Sequence, residues 1–284
     1  MAALFIVCAG DVMSWFNIES IGPGAWHISE PIGAIEPRFG VATANMFLVA
    51  GTERAALIDT GMGIGDLHAA VQALTRLPVM VCNTHSHWDH IGSNSQFDEI
   101  AIHAREFKLL SREQDVGGIR EQMGRPGVQA ILPTGFERAQ YRIATKPGTR
   151  SLSHGEMIDL GGRSLRVIQT PGHSSGHVSY FDERHGLLFS GDMAYAGPLY
   201  ACFKGGDPIA FQASAHRLAE LADEVRLIAP GHNQVLQGGA FLRGLADAAD
   251  RAQSGAAPAL PADEFIGGRE VRFDTFSIWL PKDS

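Results

Sequence analysis

Cysteine is scarce in this chain, with three among 284 residues. Cys8, Cys82 and Cys202 lie far apart, are odd in number and match no CxxC or paired pattern. That excludes a disulfide-stapled scaffold and suits a reducing compartment, so a cytoplasmic location is expected. Basic runs are missing too: the formal net charge is −8, and no stretch could neutralise a series of phosphates, which argues against nucleic acid as a partner. Nor is there an apolar run long enough to span a bilayer. The opening "MAALFIVCAG" is too short and lacks the Lys or Arg of a signal peptide, so no membrane partner is expected. Residues 1–12, ahead of Met13, read either as an N-terminal extension before the functional start or as an extra edge strand. Short-period repeats and low-complexity tracts are absent. What remains is 45% hydrophobic and 19% charged, enough for one globular domain over residues 1–284 with a sizeable core.

Apolar, β-rich runs at "AWHIS", "NMFLVA" and "AALIDT", separated by Gly, Pro or charged residues, predict neighbouring strands. After "DTGMGIG", Leu67, Val71, Leu74 and Leu77 fall near helical spacing with Asp66 placed to cap them. The run "PVMVCNT" then returns as a buried strand. In the second half "SLRVIQT", "HVSYF", "GLLFS" and "VRLIAP" predict strands. A helix starts at Asp207 as N-cap and Pro208 in the first turn, with Phe211, Ala215, Leu218 and Ala222 as its apolar stripe. The tail from Gly267 to Leu280 predicts a last strand or hairpin. Two sheet-rich halves, each followed by helices, imply two packed sheets with helices outside. Between them residues 104–150 are rich in turn formers with apolar residues interspersed, a composition that suggests a lid, centred on Gly117 to Phe136.

The stretch "THSHWDH", Thr84 to His90, carries the chemistry. Side chains two apart on an extended strand end project to one side, so His85 and His87 can converge on one ion. Asp89 and His90 follow where the chain turns toward a helix beginning near "DHIGSN", aimed at a second point nearby. Further ligand types stand where strands are expected to end: His173 in "TPGHSSGH", Asp192 in "FSGDMAY" and His232 in "APGHNQ". Each adjoins a glycine, which lets backbone approach a crowded site. His27, His68, His103, His154, His185 and His216 lack converging partners and read as structural or solvated. "GHSSG" also fits GxSxG, with Ser174 as nucleophile and Asp192 and His232 downstream, but a nucleophile elbow needs a helix after it and "HVSYF" alternates as a strand.

Taken together, His-x-His-x-Asp-His, two later Gly-His pairs and an Asp after a strand resemble the metallo-β-lactamase superfamily over about residues 24–240. The resemblance implies an α/β fold, an αββα four-layer sandwich of two mixed sheets flanked by helices. It implies two divalent metal ions per chain, zinc by expectation, with iron and manganese as alternatives. His85, His87 and His173 would hold one, Asp89, His90 and His232 the other, and Asp192 would bridge them. Asp59 in "LIDTG" matches the family's acidic residue after an early strand and is read as orienting a ligand. His177 is read as a supporting residue and not a ligand.

Such a centre implies hydrolysis, with a metal-bound hydroxide attacking a carbonyl and Asp89 orienting it or accepting its proton. Tyr195, three residues after Asp192, resembles the tyrosine with which lactonases of the family contact the substrate carbonyl or leaving oxygen. Residues 240–272 mix Arg243, Arg251, Arg269 and Arg272 with acidic residues, so no basic surface for a glutathione carrier is evident. The expected substrate is therefore a small lactone or ester. The alternatives are a glyoxalase II-type thioesterase, a single-iron persulfide dioxygenase and a ligand-binding regulator. A homo-oligomer is compatible with the sequence.

Overall fold

The computed structural model describes residues 15–282; the possible extension over 1–12 lies outside the described residues. Seven strands form the first sheet in chain order: β1 (Asn17–Gly22), β2 (Ala25–Glu30), β3 (Ala44–Ala50), β4 (Ala55–Ile58), β5 (Val79–Cys82), β6 (Glu99–His103) and β7 (Arg150–Leu152). The first four pair antiparallel, and from β4 onward the neighbours run parallel. β8 (Met157–Asp159), β9 (Ser164–Gln169), β10 (Val178–Asp182), β11 (Leu187–Gly191), β13 (Leu227–Pro230) and β14 (Leu236–Gln237) make the second, in the order β14-β13-β11-β10-β9-β8. A third sheet joins β12 (Pro198–Tyr200) to a hairpin of β15 (Gly268–Arg272) and β16 (Ser277–Pro281), the hairpin expected of the tail.

Alternation along the strands decides how these sheets stack. On β3, Phe47 and Val49 enter one apolar cluster while Met46 and Leu48 enter another, and on β11 Leu187 and Phe189 part from Leu188 in the same way. The cluster holding Phe47, Val49, Leu165, Val167, Leu187 and Phe189 draws on both large sheets and is the layer between them. Their opposite faces carry helices. Leu67 and Val71 of the helix Leu67–Leu74 cover the first sheet, and Asp66 caps that helix by accepting from Ala69 N. The helix stops short of Leu77. Asp207 accepts from the amides of Ile209 and Ala210, with Pro208 in the first turn, so the helix Pro208–Ala219 starts where the sequence places it; Ala222 lies beyond its end but is buried. It packs with the helix Ala240–Gln253 over the second sheet. The mixed sheets between helical layers are the expected αββα arrangement.

Residues 104–150 form short helical turns, with Ile119, Met123, Val128 and Tyr141 buried in the cluster that lines the first sheet's helical side. Tyr141 donates its hydroxyl to the Met62 carbonyl at 2.7 Å, which ties the segment to the loop after β4. No helix among the described residues is long and apolar enough to cross a membrane.

Candidate metal centre

Direction of the strands places the chemistry. β4 and β5 are parallel, as are β11 and β13, and β9 runs in the direction of β11 because both are antiparallel to β10. Their C-terminal ends therefore open on one rim, where Asp59, His85, His173, Asp192 and His232 follow. Asn45 closes the rim between the sheets, its amide nitrogen donating to the Gly231 carbonyl at 2.8 Å and its side chain to that of Pro230 at 3.0 Å. After β5 the chain stays extended to His87 and then makes a one-turn helix, Trp88–Ile91, which swings Asp89 and His90 away from His85 and His87.

All seven residues singled out from the sequence are brought together here. Their ligand atoms fall into three groups, His85 with His87 and His173, His85 with His90 and Asp192, and Asp89 with His90 and His232; within each they lie inside 4.8 Å of one another. His27, His68, His103, His154, His185 and His216 belong to no such group among the described residues.

Outward hydrogen bonds decide which nitrogen of each imidazole faces inward. His90 Nδ1 donates to Asp59 Oδ2 at 2.8 Å, His173 Nδ1 to the Tyr200 carbonyl at 2.8 Å and His232 Nδ1 to the Thr43 carbonyl at 2.9 Å. Thr84 Oγ1 gives its hydrogen to Asp59 Oδ2, so in the 3.0 Å contact with His85 Nδ1 it is the imidazole that donates. Four Nε2 atoms are thereby left as inward lone pairs. His85 Nε2 and His173 Nε2 each lie 2.9 Å from His87 Nδ1, and one hydrogen could serve only one of them at a time. His90 Nε2 and Asp192 Oδ1 are buried without any hydrogen-bond partner. Five nitrogens and carboxylate oxygens facing one another in this way are a donor set suited to divalent cations.

Charge divides the cluster into two halves. Burial, reinforced by the other imidazoles, holds His85 and His173 well below the ordinary histidine range, and burial lowers His87 as well, so these rings present lone pairs. Burial also opposes charge on His90 and His232, but the carboxylates of Asp192 and Asp89 outweigh it and raise both. Positive charge is thus drawn to their Nε2 atoms, as a proton or as a metal ion that displaces it. Asp192 is held ionised, well below its usual range, because His232, His90 and His173 overcome its burial. Its Oδ2 is 3.3 Å from His173 Nε2 and 3.3 Å from His232 Nε2, within reach of both halves.

Supporting residues orient these donors. Asp59 accepts from Thr84 N and Thr84 Oγ1, both at 2.7 Å, as well as from His90, the orienting part read from the sequence. His177 accepts from the Asp192 amide at 3.0 Å while its Nδ1 meets Thr170 Oγ1, and burial lowers its pKa to about 4, so it is neutral and outside the ligand groups. Thr43, through its carbonyl on His232, and Thr84, through its hydroxyl on His85, make orienting contacts that sequence reasoning passes over. Thr84 adjoins the histidine stretch and could have been suspected; nothing near Thr43 in sequence signals such a contact.

A cavity of about 220 Å³ opens on the donors, walled by Ile32, Phe39, Val41, Trp88, Tyr195, Tyr200 and Phe203. Residues 104–150 supply none of this lining. Tyr195 contributes its ring, 5.4 Å from that of His232, but donates its hydroxyl to the Pro198 carbonyl, so the phenol expected to address the substrate is engaged with backbone. Ser174 donates its hydroxyl to Glu106 and is followed by β10, not by a helix. The arrangement of a nucleophilic serine is absent from it.

The family model described as the metallo-β-lactamase superfamily matches residues 39–232. Human acyl-coenzyme A thioesterase MBLAC2 is 31% identical over 236 residues, covering 78% of this chain and 82% of that protein. The hydroxyacylglutathione hydrolase of Xanthomonas campestris pv. campestris (strain B100) is 29% identical over 194 residues, 68% of this chain and 62% of the relative. Among solved structures, the metallo-β-lactamase from Pontibacter korlensis shares the fold at a TM-score of 0.61 and 16% identity, covering 83% of this chain and 99% of its own. With the donor set on one sheet rim, the chain belongs to the metallo-β-lactamase superfamily of hydrolases.

Proposed function

We propose that the chain is a metal-dependent thioesterase that holds two divalent ions and accepts an acyl thioester, the acyl chain lying along the apolar cavity wall. His85, His87 and His173 would hold one ion and Asp89, His90 and His232 the other, with Asp192 between them, a set suited to zinc. Ions bound there supply Lewis acidity toward a carbonyl and lower the pKa of water. The chain's own residues do the rest. Ile32, Phe39, Val41 and Phe203 bind apolar substrate and exclude water, and Asp89, about one-eighth exposed, is placed to hold a proton at Oδ2, 3.6 Å from His232 Nε2.

The observation that carries the choice of thioester is the state of the two cavity phenols. Tyr195 gives its hydroxyl to Pro198 and Tyr200 gives its own to the Phe39 carbonyl. An alkoxide leaving group needs a proton donor, whereas a thiolate, with a thiol pKa near 8.5, departs without one. The lactone or ester expected from the sequence leaned on Tyr195 as that polar contact. The relatives named as thioesterase and hydroxyacylglutathione hydrolase support the same shift. Metal-loaded protein should show kcat/KM for an acyl-coenzyme A at least about tenfold above that for the oxygen ester or homoserine lactone of the same acyl chain, roughly 1.4 kcal/mol in the transition state. The reverse ranking would return the assignment to an esterase or lactonase.

A further inference from the structure

We infer that Glu106 is a positioning residue for the metal ion held by His85, His87 and His173, acting as a clamp between the two ligand-bearing turns. This rests on those three histidines being ligands, and not on the identity of the substrate. Glu106 stands at the start of the short 3₁₀ turn Phe107–Ser111 after β6 and is 1% exposed. One of its oxygens, Oε2, accepts from Ser86 N at 2.8 Å and from Ser86 Oγ at 2.5 Å. The other, Oε1, accepts from Gly176 N at 3.0 Å and from Ser174 Oγ. Ser86 lies between His85 and His87, and Ser174 directly follows His173. One carboxylate therefore joins the turn of the first sheet to the turn of the second, where His173 Nε2 and His87 Nδ1 come to 2.9 Å.

The geometry is specific to glutamate. A Cβ on residue 176 would sit 2.5 Å from Glu106 Cγ, so the glycine is what lets the second turn approach. Aspartate is a methylene too short to span both turns. Glutamine keeps the shape but offers an amide nitrogen where one oxygen accepts two hydrogens, leaving a backbone N–H facing another donor. Burial raises the Glu106 carboxyl, but the hydroxyls of Ser174 and Ser86 outweigh it and hold the group below its usual range, ready to accept all four bonds. His90 and His232 are oriented instead by Asp59 and by the Thr43 carbonyl. Loss of Glu106 should therefore fall on one ion and spare the other.

Zinc titrations of metal-free parent and Glu106→Gln protein, in competition with a chromophoric chelator, separate the two ions. The parent should take two equivalents. The variant should bind one as the parent does and the second about 10- to 100-fold more weakly, the usual cost of removing an outer partner of a ligand, at an unchanged far-UV circular dichroism spectrum. Should Glu106→Gln not fold, Ser86→Ala with Ser174→Ala removes two of the four donors and should weaken the same ion, by less. Equal weakening of both ions, or none, would overturn the clamp. A parent that takes up no zinc would overturn the ligand reading beneath it.

Discussion

At Asp59 one carboxylate serves three donors, and the residue does so at a φ of 58°, in the left-handed region that few side chains accept. Asparagine is among those that tolerate it, so Asp59→Asn changes the chemistry with little change of backbone. An amide nitrogen would then face either the Thr84 N–H or the His90 Nδ1–H, and in the second orientation His90 loses the bond that fixes which nitrogen faces inward. Affinity for the ion assigned to Asp89, His90 and His232 should drop about 10- to 100-fold, with the other ion retained, as read by the same competition titration. Opposite selectivity in Asp59 and Glu106 variants is the expected pattern. Tyr195 shows where one residue's type misleads: its distance from Asp192 is visible in the sequence, but the Pro198 carbonyl that takes its hydroxyl is not.

Between elements, the loop after β4 and the one-turn helix Trp88–Ile91 meet with almost no space. A Cβ at residue 92 would lie 2.2 Å from the Met62 carbonyl carbon, and Gly92 N donates to the Gly61 carbonyl at 2.8 Å. Gly92→Ala must push these backbones apart. A cost of roughly 2–3 kcal/mol is expected from overpacking, measured by urea unfolding, together with weaker metal binding at Asp89 and His90, which the same turn carries. Most elements were legible because their signals are local: alternation in "NMFLVA" and "SLRVIQT", and Asp66 and Asp207 ahead of apolar periodicity. Residues 104–150 were legible only as turn-rich, since Ile119 and Met123 are buried by partners far away in sequence. The same holds for Glu106, whose contact with Ser174 spans 68 residues. The donor side chains of the short motif could be placed together from the sequence, while the groups that aim them come from wherever the fold brings an acceptor.

For the whole molecule, a buried acid behind the site sets a pH dependence. Glu30 is 2% exposed and accepts from Trp15 Nε1 at 2.6 Å and from the Met62 amide. Burial outweighs these bonds and pushes its pKa from 4.5 up to about 7. Between those values the folded chain holds the proton more tightly than the unfolded one. The contribution is therefore fully present below about pH 4.5 and is lost as pH rises through 7. Its span is roughly 3 kcal/mol at most. Glu30→Gln removes the titration, so the unfolding free energy of the parent minus that of the variant, from urea series across pH 4.5–7.5, should decline with rising pH. A flat difference would mean that the carboxyl is ionised in the fold.

Every ligand group contains one residue from beyond position 170: His173, Asp192 or His232. A chain being synthesised thus exposes His85, His87, Asp89 and His90 long before anything can enclose an ion with them. None of the three groups is complete until the second sheet has docked on the first. Metal choice then becomes a late event in the life of the molecule, made by the finished sandwich from the ions around it at that moment.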